Sequence, residues 1–290
     1  MKRAAMMIAL LGMVVWGLAQ SGWAQSNSKP AGQSNAQTAP AGQAGGQAAA
    51  PAGKRPPQAK TQEEFAAYKT ASAITDPAQQ EKAAADFAAK YPESELRSVL
   101  YKAAMHGYQS ANNADKMMEM AQKVLSYDPD DPEALLGVSQ VLAERTRDTD
   151  LDRDQRLDEA RKDAERALQT VETDLPTSGY PPEQLKAYKD FLRSDAYAIL
   201  GTLDFDKKNW ASAESNLRKS IEAFPQQPDP IAVFRLSVSL DMQNKYPEAL
   251  KYANQAVDLT KEGTAAGDAA RKEKDRLTQL TGGSAPPPAK

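Results

Sequence analysis

The sequence contains no cysteine. That excludes disulfides, cysteine nucleophiles, thiolate metal sites and a lipid anchor on an N-terminal cysteine, and it suits an oxidising compartment. Histidine is nearly absent too, and the single His106 rules out multi-histidine metal centres. Aromatic residues make up only 7% of the chain, which argues against a dedicated sugar-stacking surface even though Tyr180, Tyr188 and Trp210 are available for one. No basic tract occurs, and a net charge of −3 at pH 7 is mildly acidic, so nucleic acid is not an expected partner. Period-two alternation rich in Val, Ile and Thr is missing as well, which leaves no signal for a sheet.

What is present begins with an address. "MKRAAMMIALLGMVVWGLAQSGWAQ" places Lys2 and Arg3 before an apolar run from Ala4 to Ala19, followed by small and polar residues. This is the layout of a secretory signal peptide over residues 1–24, cleaved after Ala24, with Ala19 as the other candidate. The run is shorter than the ~20 residues a membrane-spanning helix needs, and no basic stop-transfer cluster follows. The expectation is therefore an exported protein, periplasmic or secreted, with no stable membrane span once the signal is removed. Without Lys2 and Arg3, 34 basic residues face 39 acidic ones. Residues 25–60 are built from Gln, Ala, Gly, Ser and Pro with no aromatic or branched aliphatic side chain. Such a segment cannot bury enough apolar surface to offset chain entropy and reads as a disordered spacer, about 30–35 Å in r.m.s. span. "GGQAAAPAGKR" within it is not a phosphate-binding loop: the glycine spacing is wrong, Arg55 follows Lys54 where Ser or Thr should stand, and no strand precedes it.

From residue 61 to 280 the composition turns to Ala, Leu, Glu, Lys and Tyr at helical intervals. Start and stop signals recur, as in "TDPAQQ" and "YDPDDPEALL", and predict helices of roughly 12–16 residues joined by short turns. Tyr197, Leu200, Gly201, Ala213, Leu217, Ser220 and Pro225 have counterparts 36 residues later in Val233, Leu236, Ser237, Ala249, Ala253, Ala256 and Lys261. Tyr101, Ala104, Met105, Tyr108, Met117, Ala121, Val124 and Pro129 fit the same template upstream. Small residues permit close helix crossings, Gly201 being expected to face Ala213 and Ser220, while large apolar neighbours fill the gaps and proline ends the second helix. A further unit, "DPEALLGVSQVLAER" with "RLDEARKDAERALQ", has a long connection, and a partial unit carries Phe65, Tyr68, Phe87 and Pro92.

This pattern resembles the tetratricopeptide repeat of exported bacterial proteins, a helix–turn–helix unit of about 34 residues. The resemblance implies an all-α fold: a right-handed α-solenoid of about four to five such repeats, closed by the polar C-terminal helix "DAARKEKDRLTQL", with residues 281–290 a disordered tail. In that family the first helices line a concave groove that holds a peptide or helix. Carried over, the groove presents Lys102, His106, Gln109, Leu136, Gln140, Thr202, Phe205, Phe234, Val238 and Met242, polar at its N-terminal end and apolar at its C-terminal end. The implied function is a protein-binding scaffold of the cell envelope, without cofactor, metal or catalytic residue. The alternatives are a binder of envelope glycan or lipid, or an enzyme with a site between helices.

Two sharper readings stand beside it. Asp148–Glu159, "DTDLDRDQRLDE", has the acidic spacing of a calcium loop, but Arg153 replaces the turn glycine and three arginines supply counter-charge, so a solvated insertion is favoured. His106 as a catalytic acid or base lacks an adjoining nucleophile motif. The remaining acids are interleaved with bases, as in "EARKDAER", a surface pairing pattern.

Overall fold

The computed structural model describes residues 53–176 and 180–282. The expected signal peptide, linker residues 25–52 and tail residues 283–290 lie outside the described residues. Eleven helices follow one another among the described residues: α1 (Gln62–Ser72), α2 (Pro77–Lys90), α3 (Leu96–Ser110), α4 (Ala114–Tyr127), α5 (Pro132–Arg145), α6 (Arg153–Thr170), α7 (Pro182–Asp206), α8 (Trp210–Ala223), α9 (Pro230–Asp241), α10 (Tyr246–Leu259) and α11 (Ala265–Leu280). Their starts are written in the sequence. Asp76, Asp131 and Asp229 cap α2, α5 and α9 by accepting from backbone N–H groups, each just ahead of a proline whose missing N–H costs nothing there. Thr61, Asn113 and Thr264 do the same for α1, α4 and α11.

Consecutive helices form five hairpins, α1–α2 to α9–α10, each stacked on the next, and α11 covers the last. The fold is an all-α, tetratricopeptide-like solenoid. Three of the hairpin turns pass through a left-handed residue at the same place: Asn112 (φ 55°), Lys208 (φ 58°) and Asn244 (φ 60°). In the third hairpin the insertion 146–152 replaces that tight turn.

Within hairpins the small positions are fully buried, among them Ala104, Ala121, Ala160, Ala213 and Ala249. Ser139 donates to the Ala160 carbonyl (2.6 Å) and Ser237 to the Ala249 carbonyl (2.9 Å), the same bond from first helix to second in two hairpins. Gly201 packs onto the face of α8 that carries Leu217: a Cβ there would lie 2.7 Å from Cγ and Cδ2 of Leu217, so the glycine makes room for a leucine. Ser220, on the same helix, lies 3.4 Å from the Ser194 hydroxyl. Asp204, where the repeat usually carries an aromatic, is buried and satisfied by Arg161 (2.6 Å) and Asn216 (2.8 Å), which ties α6, α7 and α8 together.

Two features depart from a plain stack. Helix α7 is 25 residues long, and its N-terminal turns bring Tyr188 and Leu192 into the core. Residues 53–60, which composition places in the linker, run extended along the edge formed by the inter-hairpin turns. Lys54 donates its backbone N–H to the Thr173 carbonyl (3.0 Å), and its ammonium pairs with Asp128 and Asp174. Arg55 forks onto the Glu95 carboxylate, which also accepts from the Gln58 N–H (3.3 Å). Composition misjudged this stretch because its anchors are two cations and backbone groups, not apolar burial.

Candidate functional site

The first helices α3, α5, α7 and α9 line a concave cavity of about 540 Å³. Its floor is apolar, formed by Met105, Met117, Leu136, Leu192 and Ile199. Of the groove residues read from the sequence, His106, Gln109, Leu136, Gln140 and Thr202 lie on its wall. Lys102 stands behind the wall and reaches it through Glu133. Phe205, Phe234, Val238 and Met242 do not line it. Phe205 packs edge-on against Trp210, with ring centroids 5.4 Å apart, and Phe234 packs towards Val233, Ala256 and Ala270. Val238 is half-buried and Met242 exposed, one turn past the C-terminal end of the cavity lining. Both ends of the cavity are polar, with His106, Gln109 and Glu133 at the N-terminal end as expected. Thr202, Asp229 and Arg235 stand at the C-terminal end, where apolar residues were expected. The apolar floor between them comes from α3, α4, α5 and α7.

The N-terminal wall is an ion cluster that the sequence reading did not assemble. Asp131 and Glu133 sit at the start of α5, where "DDPE" makes the first the N-cap and puts the second inside the first turn. Lys102 and His106 lie one turn apart on α3, so both face that turn. The Lys102 ammonium pairs with Asp131 and lies 3.0 Å from Oε1 of Glu133, and the His106 Nε2 lies 2.8 Å from Oε2 of the same carboxylate. Asp131 and Glu133 side chains are only 5% and 9% exposed, so these charges are stable only because they are paired. Burial works against the Lys102 charge, but the two carboxylates outweigh it and hold its pKa above the ordinary lysine value. Burial pushes Glu133 upward, yet Lys102 and the His106 hydrogen bond prevail and hold it below the usual carboxylate range. Burial is the larger influence at Asp131, which is raised.

Tyr188 completes this corner. It lines the cavity, is 7% exposed, and its buried hydroxyl lies beside the Glu133 carboxylate. Burial and the neighbouring Glu133 charge push its pKa well above the ordinary phenol value. It is therefore no exposed platform for a sugar, and Trp210 is committed to Phe205. Asp195 and Ile199 were absent from the groove read from the sequence, and Tyr188 was considered there only as a sugar platform; Tyr188 and Asp195 lie on α7 ahead of the repeat template. The long apolar heptad-like run of α7 was the signal that could have found them.

Chemically the cluster ties the first wall of the groove to the second. Both Glu133 oxygens are taken, and Ser110, one turn beyond His106, gives its hydroxyl to the His106 backbone carbonyl (2.9 Å). In the insertion, Asp148 pairs with Arg153 (3.1 Å) and Asp152 with Arg156 (2.7 Å), and the chain is already helical from Arg153. No group of three or more acidic or histidine residues among the described residues is arranged to hold a metal ion. No helix among the described residues is long and apolar enough to cross a membrane.

No protein-family model matches the chain, and no curated protein matches it. Among solved structures it is similar to one described as "Functional Characterization of Pseudomonas Aeruginosa pilF". The TM-score is 0.49 and the identity 16%, over 77% of this chain and 96% of that one.

Proposed function

We propose that this protein is a binding scaffold for another protein in the cell envelope, and that it holds an extended or helical segment of that partner in the concave cavity. The observation that carries this reading is the cavity itself: about 540 Å³, lined by the first helices of four successive hairpins, with an apolar floor and polar rim. Tetratricopeptide-like hairpins present successive first helices as one continuous concave face. A floor of methionine and aliphatic side chains beneath polar groups is what a segment with a few apolar anchors requires. The expected signal peptide supports the envelope as the place. The acids on the wall, Glu133, Glu144, Asp195 and Asp229, disfavour an anionic lipid as the occupant.

Site-specific photo-crosslinking in cells tests the reading. A photoreactive residue at Gln140, exposed on the groove side of α5, should form an adduct with a discrete protein. The same residue at Lys123, exposed on α4 away from the cavity, should not. Equal adducts from both positions, or an adduct from Lys123 alone, would refute groove binding.

A further inference from the structure

The extended stretch 53–60 is fastened to the two turns from which walls of the groove begin, and the inference drawn from it rests on the proposed use of that groove. Helices α4 and α6 each pack on α5, and Lys54 joins their C-terminal ends. Its ammonium pairs with Asp128, the C-cap of α4. The same ammonium lies 3.6 Å from Asp174, whose N–H donates to the Thr170 carbonyl (2.8 Å) where α6 ends. The main chain is held too, by the bond to the Thr173 carbonyl and a parallel bridge to Pro176.

Each turn leads straight into a wall. The Asp128 carbonyl accepts from the Asp131 N–H (3.2 Å), and Asp131 caps α5, whose first turn carries Glu133. In the turn after α6, the Glu172 carboxylate takes Lys189 (3.0 Å) and Arg193 of α7, and the Glu172 carbonyl takes Lys189 again (3.2 Å). One ammonium therefore stands between the start of α5, with Glu133 on the cavity, and the anchor of α7, with Tyr188 and Leu192 on the cavity. Its removal leaves Asp128 and Asp174 as like charges on the two sides of one seam, where they repel.

We propose that Lys54 is a positioning residue for the groove: by spanning Asp128 and Asp174 it sets how α7 stands against α5, and lifting residues 53–60 off the edge changes the width of the cavity between those helices. The chain upstream of Lys54 thereby gains a hold on the site from outside it. A partner that captures this stretch resets the groove without entering it, because the two arrangements differ in which contacts the two turns make.

The absence of cysteine makes the test direct. Spin labels are attached through cysteines introduced at Gln140 on α5 and Gln184 on α7, both exposed, in the full chain after signal removal. Double electron–electron resonance then reads the distance between the two helices. With Lys54 present the distribution should be single and narrow. Lys54→Met should shift or broaden it by about 2 Å, and Lys54→Arg, which keeps a cation able to span both carboxylates, should restore it. A role confined to stability lowers the urea midpoint of Lys54→Met and leaves the distance in the folded protein unchanged. That result, or a distance that Lys54→Arg does not restore, overturns the proposal. The Gln140 photo-crosslink, repeated in Lys54→Met, should change in yield about fivefold or more. An altered distance with an unaltered adduct overturns the control of the groove and leaves the groove reading in place. An altered distance with no Gln140 adduct even in the unaltered protein sinks the groove reading and leaves the hold of Lys54 on α5 and α7 standing.

Discussion

Gly201 offers the most demanding test of the packing. Inside a 25-residue helix, five residues from its end, glycine is the wrong residue by intrinsic preference, and alanine would gain about 1 kcal/mol. The geometry opposes that gain. A Cβ at Gly201 meets Leu217 at 2.7 Å through two side-chain atoms and at 3.2 Å through the backbone nitrogen, and Leu217 is fully buried. Leucine cannot swing into solvent, so α7 and α8 must separate or the rotamer must strain, at a cost of about 1–3 kcal/mol. Because Leu217 is fully buried the packing cost lies towards the upper end of that range, and Gly201→Ala is expected to lose up to about 2 kcal/mol net. For a chain of this size that is a fall of up to roughly 4–8 °C in Tm. Gly137 provides the opposite sign. Its Cβ would find Ala121 at 3.5 Å and the Met105 sulfur at 3.6 Å, which are ordinary contacts, so Gly137→Ala should stabilise by about 0.5–1 kcal/mol. From Gln25 onward Trp210 is the only tryptophan, and it sits at the turn between α7 and α8. Urea unfolding followed by its fluorescence reads the hairpin in question directly. If Gly201→Ala is as stable as the unaltered protein, the claim that α7 and α8 touch through this glycine is wrong.

Four further outcomes follow from the charges. Lys102→Met strands Asp131 and Glu133 and should cost about 3 kcal/mol, measured by chemical unfolding. Glu133 has a depressed pKa in the fold, so its contribution is fully present above the unfolded value of 4.5 and is lost as pH falls through the folded one; the stability gap between the unaltered protein and Glu133→Gln should be widest at neutral pH and close in acid. Asp163 behaves oppositely: half-burial and Glu159 raise it to about 6, so its ionisation penalises the fold as pH rises from 3.8 through 6, and Asp163→Asn should raise Tm at neutral pH and leave it unchanged at pH 3. Calcium at millimolar concentration should produce no heat in calorimetry, since Arg153 and Arg156 already occupy the carboxylates of the insertion.

The helix–turn–helix architecture was legible because local marks recur: an aspartate and proline ahead of α2, α5 and α9, small residues at the crossings, and Pro92, Pro129 and Pro225 just past the ends of α2, α4 and α8. Gly201 and Ser237, spaced 36 residues apart, both signal a close contact between the first and second helix of a hairpin. The site was less legible. His106, Gln140 and Thr202, chosen by residue type and repeat position, lie on the cavity wall, because a helical face is a periodic property. Phe205 and Phe234 sit on the same nominal face, but intramolecular neighbours, Trp210 and the packing around Ala270, claimed their rings first. The ion cluster escaped for a different reason. Lys102 and Glu133 are separated by a whole helix and a turn, and nothing periodic in the sequence says that two such charges will meet out of water.

The stretch from Lys54 to Lys60 gives the molecule a mechanical character that an untied stack would lack. A bare solenoid is a spring whose coils touch only their neighbours. Here one strand is lashed across three coils, with Arg55 fastened at the foot of α3 and Lys54 fastened past the ends of α4 and α6. Tension applied through the chain upstream of Lys54 enters the body at the junction of the second and third hairpins, in shear against the Thr173 carbonyl and the Asp128 and Asp174 carboxylates. The first hairpin, α1–α2, is bypassed.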